Sequence, residues 1–223
     1  NVILVIIPAR GGSKRLKNKN RSIVGGISLL DRTFRLVKEL NAVQSTLFTT
    51  DDPVLYNHAT DLGIFCPELR PAHLSDDKAM TISVVDYAVN ILTQKFSTVP
   101  EYILLLQLTS PFRYPSRIMS GIETMFANPK FGSMFSASFS QEKSFKTLSH
   151  IYKISLINSE LCDGHHIDAN GNFYIAKTSE LMSGATMFPS EVAAIITSRE
   201  EAIDIDDEHD LKEAEKVAKI TNI

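Results

Sequence analysis

The sequence has few cysteines, little net charge and no long apolar run, and each shortage excludes a class of protein. Two cysteines, Cys66 and Cys162, fit neither a disulfide framework nor a zinc site. No apolar run approaches the ~20 residues that a membrane-spanning helix needs. The formal net charge of −3 argues against a general nucleic-acid binder, which needs a large basic surface. We therefore expect a cytoplasmic protein that binds neither a membrane nor a nucleic acid.

The arrangements of covalent and histidine-metal catalysis are also missing from the sequence. No Ser-His-Asp or Cys-His arrangement emerges, and the histidines, at positions 58, 73, 150, 165, 166 and 209, show no metal-binding spacing. Phosphoryl transfer depends on positioning and charge neutralisation more than on a covalent nucleophile. These absences are therefore compatible with phosphoryl or nucleotidyl transfer.

Short apolar runs and helical patterns alternate along the 223 residues and predict an α/β fold. The predicted strands are Val2–Ile7, Thr46–Thr50, Ile64–Cys66, Tyr102–Gln107, Ser133–Ser138 and Val192–Ile196. The predicted helices are Ser28–Leu40, Pro53–Leu62, Thr81–Phe96, Pro115–Ala127 and Glu208–Ile220. This alternation implies three layers, with helices on both faces of a mostly parallel sheet. We predict a single domain over residues 1–223, with an excursion from the core around residues 139–173.

A glycine-rich basic loop follows the first predicted strand. The apolar run stops at Pro8, and Gly11 and Gly12 come directly after it. Five cations lie within ten positions: Arg10, Lys14, Arg15, Lys17 and Lys19. Glycines let a backbone approach an anion closely, while N–H groups and cations attract it. Because neither G-x-G-x-x-G nor the Walker pattern is present, the loop predicts a phosphate site of another kind, for one small polyanion.

Acidic residues gather before the last predicted helix. Asp204 and Asp206 are two positions apart, so on an extended segment they face the same side and can hold one hard cation. Asp207 and Asp210 would be carboxylates at the helix N-terminus, which is a structural role. In a parallel sheet, ligands bind beyond the carboxyl ends of the strands. The loops after Ile7, Thr50 and Gln107 are expected at that edge.

Four segments resemble the cytidylyltransferases that activate sialic acids and related nine-carbon keto-sugars. Residues 9–20 meet every fixed position of the pattern A-R-x-x-S-K-x-[ILV]-x-x-K-N. The other segments are RPAHLSDDKAMT from Arg70, LLLQLTSPFR from Leu104 and AIDIDDEHDL from Ala202. The resemblance implies a Rossmann-like nucleotidyltransferase fold. It also implies transfer of CMP from CTP to the anomeric hydroxyl of a keto-sugar acid, N-acetylneuraminate above all, with release of pyrophosphate.

The resemblance assigns roles to residues of the nucleotide and metal sites. Arg10 and Lys19 would neutralise the triphosphate, and Ser13 and Asn20 would position its phosphates. Asp204 and Asp206 would hold Mg²⁺ or Mn²⁺ and, with Arg10 and Lys19, form the catalytic set. The residues expected to contact the nucleotide are Ala9, Arg10, Ser13, Asn20, Arg70, Ala79 and Thr81. Of these, Arg70, Ala79 and Thr81 would read the cytosine and ribose.

The resemblance is weakest in the region of the predicted sugar site. The residues expected to bind the sugar are Gln107, Lys146, Asn170, Tyr174 and Phe188. In the family an excursion forms a homodimer and contributes arginines for the sugar carboxylate, but no arginine occurs here from Ile118 to Ser198. Either Lys146 and His166 bind the carboxylate, or part of the excursion is missing between Lys146 and Asn170. We favour the second interpretation, and we expect a homodimer.

Three alternatives to N-acetylneuraminate activation remain open. Another nonulosonate, legionaminate or pseudaminate, would use the same machinery. An enzyme of the same fold acting on an octulosonate sugar or a cofactor alcohol is disfavoured by the spacing S-K-x-x-x-x-K-N. A non-catalytic module that senses CTP would be favoured by loss of Lys19, Asp204 or Asp206, and all three are present.

Overall fold

In a computed structural model, the strand and helix patterns fold into one seven-stranded sheet and a small hairpin. The structure describes residues 2–41, 43–76, 79–97, 99–140, 153–159, 166–184 and 191–221. Its strands are β1 Ile3–Ala9, β2 Ile23–Val24, β3 Ile27–Ser28, β4 Val43–Thr50, β5 Tyr102–Leu105, β6 Ser133–Ser140, β7 Lys153–Leu156, β8 His166–Lys177 and β9 Glu191–Ile196. Its α-helices are α1 Leu29–Glu39, α2 Pro53–Asp61, α3 Thr81–Phe96, α4 Pro115–Ala127, α5 Thr178–Gly184 and α6 Glu208–Thr221.

The main sheet is mostly parallel, as predicted. Its strand order is β4-β1-β5-β8-β6-β9-β7. β1 pairs in parallel with β4 and β5, and β9 pairs in parallel with β6 and β7. β8 runs antiparallel between β5 and β6. The carboxyl ends of β1, β4 and β5 consequently lie side by side at one edge of the sheet.

Alternating side chains on β1 show why the fold has three layers. Ile3, Val5 and Ile7 point into one hydrophobic cluster, while Leu4 and Ile6 point into another on the opposite face. Apolar residues of α1, α2, α4 and α6 fill the first cluster, and those of α3 and α5 fill the second. A strand buried on both faces must be apolar throughout, which explains the continuous apolar run at the start of the sequence.

Local capping signals set the helix boundaries. The Asp52 carboxylate accepts a hydrogen bond from the backbone N–H of Val54 at 2.9 Å, and Pro53 is the first residue of α2. Gly63, with φ of +74°, follows the helix end. The bounds of α3 and α4 are those predicted from the sequence.

Two predicted strands are shorter in the structure. β5 ends at Leu105 instead of Gln107. The N–H of Leu106 still donates to Ile6, but Pro8 on β1 has no N–H for the next bond, so the pairing stops. The predicted strand Ile64–Cys66 is an isolated parallel bridge between Phe65 and Leu47.

The region predicted as an excursion is partly built into the sheet. β7 forms an edge strand, and β8 contributes residues 166–173 to the centre of the sheet. The predicted excursion, residues 139–173, therefore wrongly included residues 153–156 and 166–173, which belong to the sheet. It was inferred from a break in the alternation of strands and helices, and the antiparallel central strand β8 causes that break. Residues 141–152 and 160–165 lie outside the described residues, so an excursion there stays a prediction.

Replacing Asp52 with alanine should destabilise the protein, because this buried carboxylate caps α2 and also accepts from Arg21 Nε at 2.7 Å. Loss of the cap alone costs about 1 kcal/mol of unfolding free energy. Burial raises the pKa of Asp52, but hydrogen bonds from Arg21 and Val54 outweigh it and hold the pKa below its usual value. The deficit should therefore be full above the unfolded pKa of ~3.9 and shrink as pH falls through the folded pKa.

Urea denaturation at pH 7 and pH 3 measures the effect, with Asp61→Ala as the matched control. Asp61 is exposed at the C-terminal end of the same helix, where a negative charge opposes the helix dipole. The control should be neutral or slightly stabilising. An Asp52→Ala deficit that is equal at both pH values would contradict the role of the ionised carboxylate.

Candidate active site

A cleft with a cavity volume of about 310 Å³ opens at the carboxyl edge of β1, β4 and β5. It brings together most of the residues predicted from the sequence: Arg10, Ser13, Lys19, Asn20, Arg70, Ala79, Thr81, Gln107, Asp204 and Asp206. Ala9 instead lies in the hydrophobic core as the last residue of β1. The cleft therefore joins three loops after strands to the segment before α6.

The basic loop after β1 is tied to the end of β4. The backbone N–H of Gly11 donates to Asp51 Oδ1 at 2.9 Å, and an added Cβ on Gly11 would lie 3.1 Å from Cβ of Asp52. Asn20 Nδ2 donates to the carbonyl of Arg10 at 2.9 Å and so fixes the far end of the loop. Gly11 thus permits close packing of two loops, and its N–H serves the protein rather than a phosphate.

The two candidate metal ligands reach the cleft from an extended segment. Ile205 between them is buried, and its N–H donates to the carbonyl of Thr109 at 2.8 Å. Burial raises the pKa of the Asp204 carboxyl; a hydrogen bond from the Thr109 hydroxyl opposes this shift, and the charge of Asp206 adds to it. Asp204 Oδ1 is buried without a hydrogen-bond partner among the described residues. A carboxylate oxygen without a hydrogen-bond partner and a second carboxylate in the same cleft form a suitable pair of ligands for a hard cation.

Asp206 carries the opposite pKa shift because two cations of the basic loop contact it. Lys19 Nζ lies 2.8 Å from Asp206 Oδ1, and an Arg15 guanidinium nitrogen lies 2.7 Å from Oδ2. Burial opposes ionisation, but these partners outweigh it and lower the pKa of Asp206. From sequence distance alone, Arg199 was the nearest cation to this pair of acids. The fold supplies closer cations from the other end of the chain.

Asp207 and Asp210 serve the start of α6, as predicted. Asp210 Oδ2 accepts from the N–H groups of Asp206 and Asp207, and Asp207 Oδ1 accepts from those of His209 and Asp210. Both carboxylates therefore satisfy backbone donors that a helix end leaves unpaired.

Arg70 lies buried beside the cleft between β4 and the loop before α3. Its N–H donates to the carbonyl of Thr50 at 2.7 Å, and its Nε donates to Ser75 Oγ at 3.1 Å. A guanidinium nitrogen lies 3.8 Å from Asp51 Oδ1. Burial lowers the pKa of Arg70, and the opposing charge of Asp51 restores part of it. Arg70 is thus a cation fixed in position by these contacts, and it lines the cleft.

Gln107 lines the cleft where β8 approaches it most closely. Gly171 on β8 has φ of +79°, and an added Cβ would lie 3.6 Å from Gln107 Oε1 and 3.7 Å from Asp204 Oδ2. Arg113 donates to the carbonyl of Gln107 and, at 2.6 Å, to that of Asn172. Glycine at 171 therefore leaves room beside two predicted site residues while Arg113 holds the backbone around them.

Asn172 is a supporting residue that sequence reasoning missed. Its buried side-chain amide donates to the carbonyls of Phe112 and Glu201, both at 2.7 Å. It links β8 to the loop after β5 and to the segment that leads to Asp204. Residue 172 lies in the segment ANGNFYI that the resemblance singled out, but its linking role depends on contacts remote in sequence.

The predicted sugar-binding residues are less well placed by the structure. Asn170 donates to Ser138 Oγ at 2.8 Å and to Thr197 Oγ1 at 2.6 Å, so its amide nitrogen is occupied. Tyr174 does not line the cleft; burial and then the charge of Asp204 raise its pKa to about 12. Lys146 and Phe188 lie outside the described residues, and His166 is the first residue of β8.

A mostly parallel sheet with helices on both faces, and with cations and two aspartates facing one cleft at its carboxyl edge, is typical of a nucleotidyltransferase. The sequence profile described as cytidylyltransferase matches residues 4–218. The chain belongs to the cytidylyltransferase family, which confirms the resemblance drawn from its motifs. Among the described residues, no helix is both long and apolar enough to cross a membrane.

Relatives with assigned activities match over nearly the whole chain. The chain is 29% identical to CMP-N,N'-diacetyllegionaminic acid synthase of Legionella pneumophila, across 98% of this chain and 97% of that protein. It is also 29% identical to N-acylneuraminate cytidylyltransferase of Escherichia coli, across 94% of this chain but only 50% of that protein. Identity to pseudaminic acid cytidylyltransferase of Campylobacter jejuni is 26%, across 98% and 97% of the two chains.

The fold matches solved cytidylyltransferase structures. CMP:2-keto-3-deoxy-manno-octonic acid synthetase complexed with CTP aligns with a TM-score of 0.69 over 99% of this chain and 100% of that one. The 4-diphosphocytidyl-2C-methyl-D-erythritol synthase of Anaerococcus prevotii aligns with a TM-score of 0.62 over 98% of both. Identity is 13% in each case, so these structures support the predicted Rossmann-like fold and nothing finer.

Replacing Gly11 with alanine should separate the basic loop from the end of β4, because the new methyl group would meet Asp52 Cβ at 3.1 Å, next to the backbone. Overpacking of this kind costs about 1–3 kcal/mol of unfolding free energy. Gly12→Ala is the matched control, since no atom of the described residues lies within 4 Å of a Cβ there. Urea denaturation without nucleotide measures both, and equal losses would contradict the close packing of the two loops.

Proposed function

We propose that the protein transfers CMP from CTP to the anomeric hydroxyl of a nine-carbon 2-keto sugar acid and releases pyrophosphate. The observation that carries this proposal is the meeting of Arg10, Lys19 and Arg70 with Asp204 and Asp206 in one cleft. The cations suit a triphosphate, and the aspartates suit a divalent metal that accompanies it. Family membership supplies the nucleotide class, and the relatives' names supply the sugar class.

In the proposed reaction, the anomeric hydroxyl gives its proton to solvent water, and its oxygen forms a bond to the α-phosphorus of CTP. The bond from that phosphorus to the bridging oxygen breaks, and pyrophosphate leaves with the electron pair. Arg10 and Lys19 would stabilise the charge that develops on the phosphate oxygens. Ser13 and Asn20 would position the phosphates, and Arg70, Ala79 and Thr81 would hold the cytidine.

The residues present fit the proposed Mg²⁺ or Mn²⁺. Asp204 offers a buried carboxylate oxygen without a partner among the described residues, and Asp206 stands beside it on the same cleft. A bound divalent cation would neutralise phosphate charge and lower the pKa of the attacking hydroxyl. Since Lys19 and Arg15 already pair with Asp206, we expect the metal to bind well only together with the nucleotide.

N-acetylneuraminate is the substrate that we propose first, with legionaminate or pseudaminate as the alternative. The similarity to a legionaminic acid synthase and to an N-acylneuraminate cytidylyltransferase is equal in identity, which keeps both open. Gln107 would contact the sugar from the cleft wall. Lys146 and Phe188 remain proposed sugar contacts, and we also propose a homodimer whose partner completes each sugar site.

A pyrophosphate-release assay tests the proposed function. The protein is mixed with Mg²⁺, one of CTP, UTP, ATP or GTP, and one of N-acetylneuraminate, legionaminate, pseudaminate or 3-deoxy-manno-octulosonate. We expect release with CTP and a nine-carbon acid only. Release with the eight-carbon acid alone would contradict the substrate class, and no release despite CTP binding would favour a CTP sensor.

Changing Lys19 to alanine should abolish most of the activity, because its ammonium group faces the cleft from the end of the basic loop. Removing one preorganised partner of developing charge costs about 10²–10³ in turnover. Lys17→Ala, an exposed position of the same loop, is the matched control and should retain the wild-type rate. Steady-state turnover measures both; a Lys19→Ala enzyme above half the wild-type rate would contradict the assignment.

Replacing Asp204 or Asp206 with asparagine should sharply raise the Mg²⁺ concentration needed for half-maximal rate. Changes outside the ligand sphere alone cost about 10–100-fold in metal affinity, so loss of a ligand charge should cost at least as much. Asp207→Asn is the control, since this carboxylate caps α6, and it should cost at most ~1 kcal/mol of helix stability. Mg²⁺ titrations that are equal for all three variants would place the metal elsewhere.

A further inference from the structure

A second cavity, of about 320 Å³, lies beside the loop that follows β5. Three arginines line it, Arg32, Arg35 and Arg113, and Glu39 is the one acid among its lining residues. Pro111 and Pro115 supply part of an apolar wall. None of its lining residues lines the CTP cleft described above. The cavity is therefore a separate, positively charged space.

Arg113 is a half-buried cation that has no counter-ion among the described residues. Its guanidinium group donates to uncharged oxygens: Nη1 lies 3.5 Å from the Thr33 hydroxyl, and the other nitrogens donate to the carbonyls of Asn172 and Gln107. Burial lowers the pKa of Arg113 to about 9, and Asp204 opposes the shift only as a more distant charge. A charge kept from water is costly unless an opposite charge comes close to it.

Arg32 and Arg35 add charge on the other side of the cavity. Arg32 donates through Nε and Nη2 to the carbonyl of Val24, and its guanidinium carbon lies 5.7 Å from the ring centre of Phe112. Burial lowers the pKa of Arg32; the charge of Glu215 opposes this shift, and that of Arg35 adds to it. Arg35 is exposed on α1. The guanidinium groups of Arg32 and Arg35, three residues apart on α1, thus repel each other beside a space that admits a ligand.

We propose that this second cavity binds a phosphate-bearing small molecule. Guanidinium groups form paired, charge-assisted hydrogen bonds with phosphate oxygens, and three of them around one space suit a dianion. The apolar wall suits the remainder of such a molecule. Because Arg113 also donates to the carbonyl of Gln107, the bound phosphate would contact a side chain that holds the wall of the catalytic cleft.

Equilibrium dialysis with radiolabelled inorganic phosphate, at constant ionic strength, tests the proposal. Phosphate also has access to the CTP cleft, so every variant carries Arg10→Gln to weaken that site. We expect the Arg10→Gln protein to bind one phosphate per chain. Adding Arg35→Gln should lower its affinity for phosphate roughly tenfold, as loss of one charged hydrogen-bonding partner predicts. Lys38→Gln removes the same charge from an exposed position of α1 and should change little.

Three outcomes would overturn the proposal. The Arg10→Gln background retains no phosphate, Arg35→Gln leaves its affinity unchanged, or Lys38→Gln weakens binding as much as Arg35→Gln does. The last outcome would mean that phosphate responds only to the overall charge. None of these outcomes bears on the proposed cytidylyl transfer, which is assayed with the unaltered cleft.

Discussion

The ion pair of Lys19 with Asp206 joins the first loop of the chain to the segment before its last helix, 187 residues away. On the other side, the hydrogen bond from Gly11 to Asp51 ties the same loop to the end of β4. A loop rich in cations would otherwise be a solvated turn. Because it is held on both sides, Arg10 and Lys19 line the cleft together with Asp204 and Asp206.

The pKa values of the two acids of that cleft are shifted in opposite directions. Burial favours the neutral form of Asp204, whereas Lys19 and Arg15 favour the charged form of Asp206. A site that accepts a nucleotide triphosphate and a divalent cation, as we propose, would gain from this division. The cations would serve the phosphates, and the unsatisfied carboxylate oxygen would serve the metal. Neither the nucleotide alone nor the metal alone would balance the charge of the site.

The sequence predicts the parts of this structure that depend on near neighbours. Asp52 and Pro53 signal the start of α2 on their own, and the apolar run of β1 signals burial on both faces of the sheet. Most of the residues that the motifs single out also lie in one cleft, although Ala9 lies in the core. The sequence does not predict contacts between residues that are far apart in the chain. The antiparallel strand β8 pairs with β5, which is distant in sequence. The linking role of Asn172 depends on carbonyls 29 and 60 residues away.

Electron paramagnetic resonance of Mn²⁺ tests the central claim, that nucleotide and metal complete one another's site between the basic loop and the aspartates. The protein is titrated with Mn²⁺ alone, with CTP and with a nucleotide that is not a substrate. We expect weak binding of Mn²⁺ alone and tight binding, with a changed signal, when CTP is present. Equally tight binding without CTP, or no protein-bound signal in its presence, would contradict it.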